Sequence, residues 1–164
     1  MESIVVGVGD CKISSCPDAS LVTHALGSCI AVVVHDPVLV AGGLLHFLLP
    51  EAGLNAERAR EQPFLFADTG IPELFHRMYG IGADKRRMTV RLVGGARVMD
   101  PNGVFHIGRR NYYACRRILS KAGVIVHSEA VGGAISRTVR FDIGTGRLYW
   151  NSGGGESHDL PVRL

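Results

Sequence analysis

The run Ile30-Ala31-Val32-Val33-Val34, entered through Cys29 and left through His35-Asp36-Pro37, narrows the possible folds most. A continuous apolar segment of this length is a strand buried on both faces, so the chain must cover both sides of a sheet. Before it lies Thr23-His24-Ala25-Leu26-Gly27-Ser28, read as a small polar turn that brings one cysteine to the mouth of the strand. A second apolar segment, Gly42-Gly43-Leu44-Leu45-His46-Phe47-Leu48-Leu49-Pro50, brings one histidine from a neighbouring strand. Cysteine and histidine on adjacent strands can form a thiolate–imidazolium pair, the nucleophile and base of an enzyme that works through a thioester.

The remaining elements follow from periodicity and turn residues. Ile4 to Val8 reads as a first strand, and Cys11 to Ser20 as a loop holding at most a short strand at Lys12-Ile13-Ser14. Val38-Leu39-Val40-Ala41 and Leu44 to Leu49 read as a strand pair or one bent strand, with Gly42-Gly43 permitting a bulge or a close backbone approach. Residues 51–68 form a polar loop with a little helix at 56–60. Asp68 or Thr69 then caps a helix reaching Met78, on which Ile71, Leu74, Phe75 and Met78 share a face. Met88 to Val93 alternates as a half-buried strand, and Asp100-Pro101-Asn102-Gly103 is a turn. Ile107, Asn111, Ala114, Cys115, Ile118, Leu119 and Ala122 lie on one face of a second long helix. Val124 to Val126 is a short strand, and 138–150 is an antiparallel hairpin. The predicted fold class is α+β, with mixed sheets and helices packed outside them. One domain spans residues 1–150, followed by a glycine-rich tail, 151–164, expected to be flexible.

Composition excludes several function classes. A chain of 164 residues with 46% hydrophobic and 20% charged residues has enough apolar surface for one unaided core. A formal charge of +3 is too small to argue for nucleic acid. No apolar run approaches the roughly 20 residues of a membrane span, and the N-terminus has no secretory pattern, so a cytoplasmic protein is expected. Cys11, Cys16, Cys29 and Cys115 show no Cys-x-x-Cys spacing, which argues against a disulfide framework. Cys11 and Cys16 with His24 or His35 match no common structural zinc pattern, so no metal is expected. Cys115, on the apolar face of its helix, is a core residue.

Taken alone, a cysteine before an apolar run is an ordinary core residue, and so is a histidine inside a strand. Three features together favour chemistry. Gly27-Ser28 is what a tight turn needs to expose a thiol and present backbone N–H groups to an oxyanion. His46 needs only neighbouring strands to reach Cys29. The hydroxyl of Thr23 can orient the imidazole and fix its tautomer.

Leu26-Gly27-Ser28-Cys29, Gly42-Gly43-x-x-His46-x-x-Leu49-Pro50, Gly94-Gly95-Ala96, Ile107-Gly108-x-x-Asn111 and Gly132-Gly133-x-x-x-Arg137-x-Val139-x-Phe141 occur in that order. Together they resemble the CheD family, the chemoreceptor glutamine deamidases of bacterial and archaeal chemotaxis, over about residues 4–150. The resemblance implies a papain-like deamidase sandwich shared with certain bacterial toxins of the CNF type. It implies Cys29 as nucleophile, His46 as general base and acid, and Thr23 as supporting hydroxyl, with Gly27 and Ser28 supporting the oxyanion turn. It implies no cofactor. The substrate would be glutamine on the cytoplasmic helices of a methyl-accepting receptor, with glutamate methyl esters cleaved by the same chemistry. A CheC-type phosphatase is the implied partner. Arg86-Arg87, Arg109-Arg110 and Arg116-Arg117 are candidates to face an acidic receptor surface, or are solvated charges. The family often has glycine where Ala25 stands and an apolar residue at His24, which is read as a surface group. Two rivals stand beside this: a binding module with a vestigial thiol serving a CheC-type partner, and a transglutaminase-like transferase.

Overall fold

The computed structural model describes residues 2–98 and 105–163, so the turn expected at 100–103 lies outside the described residues. In chain order the strands are β1 (Glu2–Val5), β2 (Asp10–Ser14), β3 (Ala19–Leu26), β4 (Ile30–Asp36), β5 (Ala41–Phe47), β6 (Thr89–Gly94), β7 (Ser128–Val131), β8 (Arg137–Asp142), β9 (Leu148–Asn151) and β10 (His158–Asp159). The α-helices are α1 (Ala56–Glu61), α2 (Ala67–Gly80) and α3 (Ile107–Lys121). One mixed sheet has the order β1-β3-β8-β9-β10, the other β2-β5-β4-β6-β7.

The apolar run is β4, hydrogen-bonded to β5 on one side and β6 on the other, with every residue buried. Its alternation divides the core. Ala31 and Val33 point toward the first sheet and meet Leu21, Leu44, Val139 and Phe141. Ile30, Val32 and Val34 point the other way, into a cluster with Leu45, Phe47, Leu74, Met78 and Leu119. The molecule is thus layered sheet on sheet, with α2 and α3 against the outer face of the second sheet. Gly42 permits the close approach: a Cβ there would collide with the Phe141 ring from the opposite sheet.

Some boundaries differ from the sequence reading. Asp10–Ser14 is a full strand paired antiparallel with β5, and it buries Cys11. The helix expected to be capped by Asp68 or Thr69 begins at Ala67, because both side chains bond elsewhere: Asp68 Oδ1 accepts from the Ala52 N–H, and Thr69 donates to the Pro63 carbonyl. Residues 124–126 form no strand; the chain pairs with β6 only from Ser128. The segment expected to be a tail contains β10, which pairs His158 with Trp150 and Asp159 with Tyr149. Its glycines lie between β9 and β10, where Gly153 and Gly154 take positive φ. Leu160 is buried, and its carbonyl accepts a 2.9 Å bond from buried Arg91.

Candidate active site

Thr23 lies inside β3 rather than in a turn, fully buried, and its side chain crosses to the other sheet. Its Oγ1 is 2.7 Å from Nδ1 of His46 on β5 and 2.6 Å from the Val6 carbonyl oxygen. A carbonyl only accepts, so the single hydroxyl proton goes to Val6. Thr23 must then accept from His46, which places the imidazole proton on Nδ1 and leaves Nε2 with a lone pair. Among the described residues Nε2 is buried and makes no hydrogen bond.

Cys29 immediately precedes β4. In the antiparallel pairing of β4 with β5, Ala31 stands opposite His46. Cys29, two residues earlier, belongs with Ala31 to the cluster between the sheets, the side from which His46 reaches Thr23. It is the diagonal cross-strand neighbour of His46, a separation of about 7 Å between Cβ positions that a thiol and an imidazole can span. Cys29 is 9% exposed and His46 2%, so both residues are buried, with Cys29 the less completely covered of the two.

The turn before Cys29 is built differently from expectation. The left-handed residue is Ala25, with φ of 53°, at an irregularity in the β3–β8 pairing between Thr23 and Leu26. Its N–H donates to Thr138 Oγ1 at 3.1 Å. Behind the loop, the Gly27 carbonyl accepts from the Ala96 N–H and the Cys29 carbonyl from the Gly95 N–H, both at 2.8 Å. The Ser28 carbonyl accepts from Asn111 Nδ2 on α3 at 2.9 Å.

Burial pushes the Cys29 thiol up to about 11, opposed weakly by its own backbone N–H. Burial also pulls His46 down to about 4. The resting pair is therefore a neutral thiol and a neutral imidazole, not the ion pair suggested by the sequence. The physical reason is that burial dominates both shifts, with no neighbouring charge among their causes. A neutral pair of this kind would pass its proton together with an attack by sulfur rather than before it.

His24 is exposed, one residue from Thr23 and pointing to the other side of the strand. Cys115 is fully buried in the helix layer. Of the arginine pairs, Arg86 and Arg87 are engaged with Asp84, and Arg87 also with Asp36 at the far end of β4, about 20 Å along the strand from Cys29. Arg116 pairs with Glu129. Arg109 lines a groove of about 240 Å³ with Arg97, His106, Tyr112, Tyr113 and Gly132–Gly133, and a smaller groove beside it reaches Ser28. The Val6 carbonyl, which sets the tautomer, is a backbone atom with no sequence signal. Asn111 carried a signal as part of a motif, without an assigned role.

An α+β sandwich with a thiol and a hydroxyl-oriented imidazole on one inner face has the make-up of a cysteine-dependent hydrolase. The chain belongs to the CheD family. The family model described as CheD chemotactic sensory transduction matches residues 48–152. A Solibacter usitatus relative named "Probable chemoreceptor glutamine deamidase CheD" is 49% identical over 161 residues, covering 98% of this chain and 95% of that one. "Probable chemoreceptor glutamine deamidase CheD 2" of Anaeromyxobacter dehalogenans is 50% identical over 93% of this chain and 96% of its own. The relative from Pyrococcus horikoshii is 35% identical over 90% and 91%. A crystal structure of a Neisseria meningitidis protein of the DUF152 family model aligns with a TM-score of 0.46 and 11% identity, over 82% of this chain and 63% of that one. No helix among the described residues is long and apolar enough to cross a membrane.

Proposed function

We propose that this protein is a protein-glutamine glutaminase that hydrolyses glutamine side chains of chemoreceptors to glutamate and ammonia through a thioester on Cys29. The hydrogen bond from His46 to Thr23 carries the reading, because it leaves Nε2 as the basic nitrogen on the side of the sheet that Cys29 faces. His46 Nε2 takes the thiol proton as sulfur attacks the carboxamide carbon. The Cys29 N–H, with a neighbour in the Gly27-Ser28 turn, holds the oxyanion; one such donor is worth about 3 kcal/mol. The imidazolium then protonates the departing ammonia and, neutral again, activates the water that opens the thioester. No step needs a metal or an organic cofactor. A glutamate methyl ester would be cleaved by the same sequence, with methanol leaving in place of ammonia.

The substrate reading rests on the names of relatives, 49% and 50% identical, as chemoreceptor deamidases. Receptor helices of this kind face the cytoplasm, which is where the protein would work, and a CheC-type phosphatase is the further partner suggested by the family. No observation favours the non-catalytic binding module; a vestigial thiol gives no reason to orient the imidazole opposite it.

Intact-mass analysis of a receptor cytoplasmic fragment tests the proposal. Each converted side chain gains about one dalton, and Cys29→Ala abolishes the gain. An unchanged fragment mass with wild-type protein, or full conversion by Cys29→Ala, overturns it.

A further inference from the structure

We propose that Asn111 is a positioning residue that aims the oxyanion-binding N–H of Cys29 and ties it to the strand carrying the base. This rests on the reading of Cys29 as nucleophile. Asn111 has no exposed surface, and its Nδ2 donates to the Ser28 carbonyl and to the Leu48 carbonyl, both at 2.9 Å. Its two amide hydrogens are thereby spent on two backbone segments. Its own Oδ1 is buried and without a hydrogen-bond partner among the described residues. A buried acceptor left unpaired counts against folding, so stability alone is a poor reason for an asparagine here.

Geometry supplies a better one. The described residues contain no cis peptide bond, and in a trans peptide the N–H points opposite the preceding carbonyl. Holding the Ser28 carbonyl from behind therefore aims the Cys29 N–H forward. With the Gly27 and Cys29 carbonyls held by Ala96 and Gly95, three successive carbonyls are tied down, two by the segment after β6 and one by α3. Cys29 and Leu48 are the residues just outside the terminal β4–β5 pair, Ile30–Phe47, and Leu48 is two residues beyond His46, so the same amide sets the spacing between nucleophile loop and base strand. Helix α3 can approach this closely because residue 108 is glycine: a Cβ there would sit 2.5 Å from the Ala96 carbonyl oxygen and 2.6 Å from that of Gly95.

The test separates oxyanion aim from thiol activation. In a Cys16→Ser background, which removes the exposed cysteine, Asn111→Ala is compared with its parent in two reactions. One is deamidation of a receptor cytoplasmic fragment; the other is alkylation of Cys29 by iodoacetamide at pH about 9, a displacement at carbon that develops no oxyanion. The kcat for deamidation should fall about 10²-fold with KM little changed, while alkylation stays within about twofold of the parent rate. Asn111→Ser, which can donate to one carbonyl only, should fall between the two, and it carries the same comparison where the alanine variant does not fold. Parallel losses in both reactions, or an unchanged kcat, overturn the proposal. Deamidation surviving Cys29→Ala would instead overturn the nucleophile assignment beneath it.

Discussion

Thr23 and His46 are joined across the two sheets at 2.7 Å, with the hydroxyl proton of Thr23 already given to the Val6 carbonyl at 2.6 Å. The imidazole is thereby a donor at Nδ1 with its lone pair at Nε2, and its partner is a hydroxyl rather than a carboxylate. The hydroxyl is a weaker partner for a forming imidazolium than a carboxylate would be, so its contribution is mainly one of orientation and tautomer.

Thr23→Val removes the acceptor and leaves a buried N–H unpaired, which favours the tautomer that cannot accept a proton at Nε2. The kcat for deamidation should fall about tenfold or more, corresponding to roughly 1.4 kcal/mol. Thr23→Ser, which keeps the hydroxyl, should recover most of it. Steady-state kinetics on the pair decide the matter: equal rates for valine and serine would remove the tautomer argument.

Burial sets the pH window. With His46 drawn down to about 4 and Cys29 raised to about 11, the free enzyme holds the neutral pair across the whole neutral range. The profile of kcat/KM should be flat around neutrality and fall only on approach to pH 4, well below the ordinary imidazole range. Folding stability follows in the same direction. The unfolded chain takes up the His46 proton near 6.5 and the folded chain near 4, so the unfolded state binds more protons between these values. Stability is complete above about 6.5 and declines by about 3 kcal/mol as pH falls to 4. His46→Gln should flatten this part of the stability curve measured by urea unfolding; an acid limb near 6.5 in wild-type activity would contradict the assignment.

The same burial ranks the cysteines. Cys16 is exposed, while burial raises Cys29 to about 11 and both Cys11 and Cys115 to about 12. Iodoacetamide should label Cys16 first, Cys29 second and the two core thiols only on unfolding, as read by peptide mass mapping over time. Labelling of Cys115 ahead of Cys29 in the folded protein would mean that Cys29 is less accessible than the helix core, against the exposures of 9% and 0%.

The shared inner face of Cys29 and His46 was legible because each interrupts or borders an apolar run, and strand alternation alone predicts which residues share a face. Thr23 was legible by chemistry but not by place: a polar residue amid Ser20 and His24 reads as turn, yet β3 buries Thr23 against another polar group in the opposite sheet. The work of Asn111 could not be read, since both of its partners are backbone carbonyls, which every residue carries. β10 escaped for a related reason. Two residues set no period, and they are held by pairing to β9, the Arg147–Asp159 ion pair and the Arg91 bond to the Leu160 carbonyl. The α3 face and the 138–150 hairpin, with long periodic patterns, were legible from the letters alone.

Ala25 makes a last prediction from strain. Its φ of 53° places an L-residue with a Cβ in the left-handed region, at a cost of about 1–2 kcal/mol that glycine does not incur. Ala25→Gly relieves this but adds freedom to the unfolded chain worth about 0.4–1 kcal/mol. The balance favours glycine, so the variant should be more stable by a few tenths to about 1 kcal/mol in urea unfolding. The Ala25 N–H bond to Thr138 Oγ1 is a backbone bond and survives the change. Activity should stay near wild type, because the carbonyls of Gly27, Ser28 and Cys29 are held by Ala96, Asn111 and Gly95, none of which depends on the Ala25 side chain. A loss of stability would mean that the left-handed turn is not populated in the folded protein, and the bulge that separates Thr23 from the cysteine loop would then need another origin.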